Sequence, residues 1–323
     1  LLNDAIAGKI DNEKLGKSLL NLVGNETISS IRTIASIMII IIIHSILKSI
    51  SEGLENGTSI SQISYYVQFI LIVTLIMSNF ADIITMIKDS ISNLVSFSNT
   101  LIPILITLIL TTGNIVSANI LQPVLLFLIT FIGNLIQNII LPIILASTAL
   151  GVVSKISERV QLDRLSKFFK STSVWALSVI LTLFVSLVSI EGNLSSSVDG
   201  ITAKTAKAAV SSFIPVVGKI LSDAVDTVIG CASILKNAVG IVGVIVIICI
   251  CITPIIKLLM LMITYYIGSA ICEPIADKKI VKLLEQMGDT FKILLAILCS
   301  ISVMLIIGTT LVMKISNSSI MYR

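Results

Sequence analysis

Lys219, Asp223 and Asp226 come closest, in type and spacing, to residues that do chemistry. Carboxylates three apart share one helical face, an arrangement that suits acid–base work. Lys219, one turn earlier, is also the simpler i,i+4 partner for Asp223. With Gly230, Ser233 and Asn237 these residues advance in steps of 4, 3, 4, 3 and 4, a narrow polar stripe on an amphipathic helix over Phe213 to Gly240. Pro215 and Gly218 stand at its start, where a helix begins or bends. A solvated or partner-facing stripe is the first reading, a substrate- or ion-lining role the second, and catalysis the last. The sequence contains no Gly-rich phosphate loop with Lys-Ser/Thr, no HExxH, no GxSxG and no CxxC. We therefore expect a non-enzymatic protein with no cofactor and no metal site. His44 is the single histidine, at the end of an isoleucine run and away from other ligands. The five cysteines read as small apolar residues.

The elements that position this stripe are apolar. Of 323 residues, 55% are hydrophobic and 12% charged, and the mean hydropathy is +1.07. Soluble domains carry about 25% charged residues. Continuous apolar runs near the ~20 residues that cross a bilayer predict an all-α, polytopic helical membrane protein, not a β-barrel with alternating strands. The net charge of +4 sits in loops and speaks to topology and the lipid bilayer rather than to nucleic acid.

Spans are expected at about 31–47, 65–87, 173–190, 241–266 and 291–313, with a polar loop over 51–64. The run 101–153 is too long for one crossing and needs a break, for which Pro103 and Pro142 are candidate hinges. Pro254 and Lys257 lie within the 241–266 run. An intramembrane lysine marks a functional position by default, although Lys257 is near enough to Tyr265 and Tyr266 to snorkel.

Pro103 and Pro142 are 39 residues apart, as are Pro215 and Pro254, and the pairs are offset by 112. At that offset Thr107, Thr111 and Asn114 stand opposite Lys219, Asp223 and Asp226. We expect a tandem internal repeat with Pro-broken, re-entrant or amphipathic hairpins. The organisation is then an extracytoplasmic segment (1–30), first transmembrane helices (31–96), membrane repeat 1 (97–193), membrane repeat 2 (194–314) and a tail (315–323). The basic stretches 154–170 and 273–289 predict cytoplasmic loops. That orientation puts residues 1–30 and 191–240 outside, provided that the stripe element returns to its starting side. An external N-terminus fits removal of a signal peptide, and a trimmed chain fits a first residue of Leu1 equally.

The run FIPVVGKILSDAVDTVIGCASILKNAVGIVGVIVI (Phe213 to Ile247), with VDGITAKTAKAAVSSF before it and IPILITLILTTGNIVSANILQPVLLFLI (Ile102 to Ile129) earlier, resembles the stage III sporulation protein AE family. The resemblance covers nearly the whole chain. It implies a multi-pass subunit of the mother-cell membrane around the forespore. The implied setting is a sporulation-specific secretion or channel complex with other membrane subunits, a cytoplasmic secretion-type ATPase and intermembrane ring proteins. The family offers no catalytic residues to carry over. A homo-oligomer fits this reading. An autonomous secondary transporter, its path lined by Lys219, Asp223 and Asp226, is the alternative.

Overall fold

The computed structural model describes the backbone of residues 24, 28, 31–32, 34–43, 45–46, 57–112, 114–156, 162–213 and 217–321. Side chains are described for the same residues except 57–62, 64–65, 156, 191–213, 217–226 and 315–321. All the secondary structure described is helical. A short apolar helix α1 (Ile34–Ile43) precedes α2 (Gly57–Thr111), α3 (Ile115–Leu135), a π-turn (Ile136–Ile140), α4 (Leu141–Ile156), α5 (Asp163–Phe213), α6 (Val217–Cys272) and α7 (Lys278–Met321). Five helical stretches are long and apolar enough to cross a membrane: Tyr66–Thr111, Ile115–Lys155, Asp163–Ile190, Thr227–Cys272 and Lys278–Lys314. The chain is a polytopic helical membrane protein.

The helices are longer than the sequence pattern predicts. α2 has 55 residues, about 80 Å at 1.5 Å per residue, against roughly 30 Å of hydrocarbon. Its buried positions run Phe69, Ile72, Ile76, Phe80, Ile83, Ile87, Ile91, Leu94 and Ser98, then Leu101, Leu105 and Ile109. These steps of three and four form one continuous apolar seam, strong enough to carry the helix through Pro103. The polar stretch that reads as a loop over 51–64 is already helical from Gly57. The charged stretches 154–170 and 273–289 are largely helix ends: one helix runs to Ile156, the next starts at Asp163, and a turn occupies 273–277. In the stripe region Phe213 ends one helix, and Val217–Cys272 is a single helix running through Gly240 and Pro254.

The chain divides into two compact units. One comprises residues 1–90, 136–177 and 252–299. Here α4 and α5 are clasped near their connection by Ser147 and Ser166: each hydroxyl donates to the other's carbonyl, at 2.6 and 2.8 Å. Lys155 closes the same connection with both Asp163 oxygens, at 2.8 Å each. α6 and α7 meet through Tyr266 and Asp289, and Asp277 caps α7 with its carbonyl. α4 also lies antiparallel to α7, with Thr148 beside Thr290 and Gly151 against Gln286. Gly151 is near the end of α4 and Gln286 near the start of α7, so both basic connections lie at one end of this unit.

The other unit comprises 91–135, 178–251 and 300–323. There the end of α2 pairs antiparallel with α3. Asn99 and Thr130 hydrogen-bond at 3.3 Å, and Val95 packs on Gly133. The turn between them is held by buried Thr112 and Asn114, whose amide donates to the Thr112 hydroxyl at 2.9 Å. The Asn114 carbonyl accepts from the Ala118 amide, so Asn114 starts α3 as its N-cap.

Candidate functional site

The described part of α6 buries one face in steps of three and four: Ser233, Lys236, Gly240, Gly243, Ile247 and Cys251. The opposite face, with Val228, Ile234, Leu235, Ile241 and Ile248, is exposed and apolar, as a lipid-facing surface requires. Lys236 is 0% exposed, and its ammonium donates to the Met313 carbonyl of α7 at 2.6 Å. A Cβ on Gly240 would collide with the Met313 side chain, so the glycine lets α6 approach α7 closely. Farther along, the Ser302 hydroxyl donates to the Cys251 sulfur at 2.8 Å. A buried ammonium on a main-chain carbonyl is an anchoring arrangement. It holds no proton-transfer pair.

Lys236 is absent from the sequence-derived stripe because it sits one position off the 4-3-4 series, beside Asn237. The available signal was a charge inside an apolar run, the criterion that singled out Lys257. Ser233 joins Lys236 on the packed face and Asn237 is half buried. Lys219, Asp223 and Asp226 lie in the first turns of α6, with side chains outside those described. Lys257 is half buried and makes no hydrogen bond or ion pair among the described residues. Pro103 and Pro254 lie inside continuous helices, and Gly218 lies in the first turn of α6. Pro142 follows the π-turn as the second residue of α4. Pro215 and His44 fall outside the described residues.

A second polar cluster lies in the unit that carries the basic connections. The Lys170 ammonium and the Thr290 hydroxyl both donate to the Gln286 carbonyl, at 3.2 and 2.9 Å. Thr290 reaches Thr148 at 3.4 Å, and Tyr266 donates to Asp289 at 2.6 Å. No sequence pattern marks this cluster, because its members come from four helices. Among the described residues, no three His, Cys, Asp or Glu side chains gather as metal ligands. The cysteines are free thiols, two exposed, two buried and one half buried.

No solved structure matches the chain. The Bacillus subtilis (strain 168) protein "Stage III sporulation protein AE" is 32% identical over 307 residues, covering 95% of this chain and 77% of its own. The family model described as "Stage III sporulation protein AE" matches residues 2–316. The chain therefore belongs to the stage III sporulation protein AE family.

Proposed function

We infer that the protein is a non-enzymatic membrane subunit of a sporulation-specific secretion or channel complex joining mother cell and forespore. In this reading it contributes to the membrane pore or to an export-gate platform. It sits in the mother-cell membrane around the forespore and works with other membrane subunits, a cytoplasmic secretion-type ATPase and intermembrane ring proteins.

One observation carries the reading: the family match runs through all five long apolar helices. The interior polar groups support it, because they hold helices to one another rather than forming a catalytic cluster. The shared end of the two basic connections supports an orientation with that end in the mother-cell cytoplasm, since cytoplasmic loops collect Lys and Arg. The start of α6, with Lys219, Asp223 and Asp226, then serves the extracytoplasmic side as a conduit lining or a docking stripe.

The test is affinity purification of the full chain from sporulating cells, with subunit stoichiometry by mass spectrometry. Co-purification with a secretion-type ATPase and ring-forming subunits is the expected result. Recovery of the chain alone, together with solute flux when it is reconstituted by itself in liposomes, would overturn the complex in favour of an autonomous transporter.

A further inference from the structure

The Lys170–Gln286 cluster leaves hydrogen-bonding capacity unused at a depth where lipid headgroups lie. Lys170 follows the start of α5 by about two turns, and Gln286 and Asp289 follow the start of α7 by two to three. On α5, Phe168 and Trp175 flank Lys170, and both are exposed, Trp175 to 68%. Exposed tryptophan on a spanning helix belongs to the interfacial belt. Lys170 therefore sits between the basic connection and that belt, within the headgroup layer.

Four side chains define the chemistry. An ammonium has three donors, and Lys170 directs one to the Gln286 carbonyl. The Gln286 amide nitrogen is buried without a hydrogen-bond partner. It is pressed against Gly151, where any Cβ would collide with it, so it cannot swing away on that side. A buried donor left unmatched is costly and calls for an acceptor. Asp289 is exposed, acts electrostatically on Lys170, and has one oxygen bonded by Tyr266. The cluster thus offers donors beside one positive charge and an acceptor beside one negative charge. Its complement carries acidic oxygens and an ammonium on one small group.

We propose that Lys170, Gln286, Asp289 and Tyr266 form a binding site for a phosphoethanolamine lipid headgroup. The phosphate accepts from Lys170 and from the Gln286 amide once that side chain turns out from Gly151, and the primary ammonium donates to Asp289. A purely anionic headgroup would meet the Asp289 carboxylate unpaired. A quaternary choline would place a cation there with no N–H to donate.

The test is native mass spectrometry and thermal-shift titration of the full chain in detergent, with added phosphatidylethanolamine, phosphatidylglycerol or phosphatidylcholine. The expected result is at least tenfold preference for phosphatidylethanolamine. Lys170→Gln and Gln286→Glu should each lower its binding about tenfold, and Asp289→Asn should erase the preference over phosphatidylglycerol. Gln286→Glu keeps the side-chain shape while removing the donor. Asp289→Asn changes an exposed position, so at least one variant reports on a folded chain. Equal retention of the three lipids, or unchanged phosphatidylethanolamine binding in variants that melt like the parent, would overturn the site. Soluble O-phosphoethanolamine should not displace the lipid. Displacement at matched concentration would overturn the lipid assignment in favour of a free phosphoamine.

Discussion

Replacing Lys236 by methionine tests whether the buried ammonium is a structural asset or is retained for another reason. A lysine at the centre of a membrane helix costs about 2.5–3.5 kcal/mol on insertion scales, an upper bound for Lys236, which lies near the start of the Thr227–Cys272 stretch and opposite Met313 at the end of Lys278–Lys314. The 2.6 Å bond to the Met313 carbonyl offsets this by roughly 1.5–3 kcal/mol, the range for hydrogen bonds to a charged group. The ammonium is thus neutral, or unfavourable by at most about 2 kcal/mol. Methionine is nearly as long, flexible and uncharged, so it fills the same space. Met313 lies within α7, where its carbonyl keeps its helical environment after the ammonium is gone. Lys236→Met is therefore expected to leave stability unchanged or raise it by up to ~2 kcal/mol. Lys236→Ala also opens a cavity and should cost about 2–4 kcal/mol, by the cost of large-to-small substitutions. Denaturation of the purified chain in mixed micelles, followed by circular dichroism, measures both. Loss of more than ~2 kcal/mol in the methionine variant would refute the reasoning, because it would require a counter-charge bonded to Lys236. Stability retained with loss of spore formation would mark Lys236 as kept for function.

Other expectations can be tested alongside. Asp223→Asn combined with Asp226→Asn should impair spore formation while leaving membrane insertion intact. Normal spore yield would remove the stripe from the mechanism. Gly243→Leu forces a side chain into Leu101 and should destabilise by about 1–3 kcal/mol, the range for overpacking, in the same micelle assay. Ser147→Ala and Ser166→Ala should each cost about 0.5–1.5 kcal/mol and add nearly independently, because each hydroxyl donates to a main-chain carbonyl that the other substitution leaves in place. In a cysteine-free background, Glu273→Cys, exposed at a basic connection, should react with impermeant maleimide only from the cytoplasmic side. Labelling from outside would invert the orientation.

The helical membrane class was legible because composition and run length alone decide it. Helix continuity was not. Pro103 and Pro254 carry a genuine penalty, but the buried seams around them, Leu101 to Ile109 and Cys251 to Leu261, supply apolar contact at every turn and outweigh it. Sequence punctuation marks local cost and is blind to tertiary gain. The break that the 101–153 run requires was legible, but its place at Asn114 was not: it is marked by an N-cap rather than by the neighbouring prolines. Of the candidate site, Ser233 was visible through periodicity. Lys236, one position off the series, and the Lys170–Gln286 cluster, assembled from separate helices, became apparent only once the helices were packed.

The π-turn at Ile136–Ile140 has a consequence for how this chain tolerates change in length. A π-turn accommodates one more residue than an α-turn. Removing one residue there would leave a plain α-helix from Ile115 to Ile156. Because the wider turn already takes up that residue's ~100°, the helix after the cut would keep its phase. Asn99 would keep Thr130, and Ser147 and Thr148 would keep Ser166 and Thr290. The turn is thus a slack link, the one place in 115–156 where a residue can be lost without turning the buried face away from its neighbours. A single-residue deletion elsewhere in this rod should cost its contacts, whereas one at 136–140 should be tolerated.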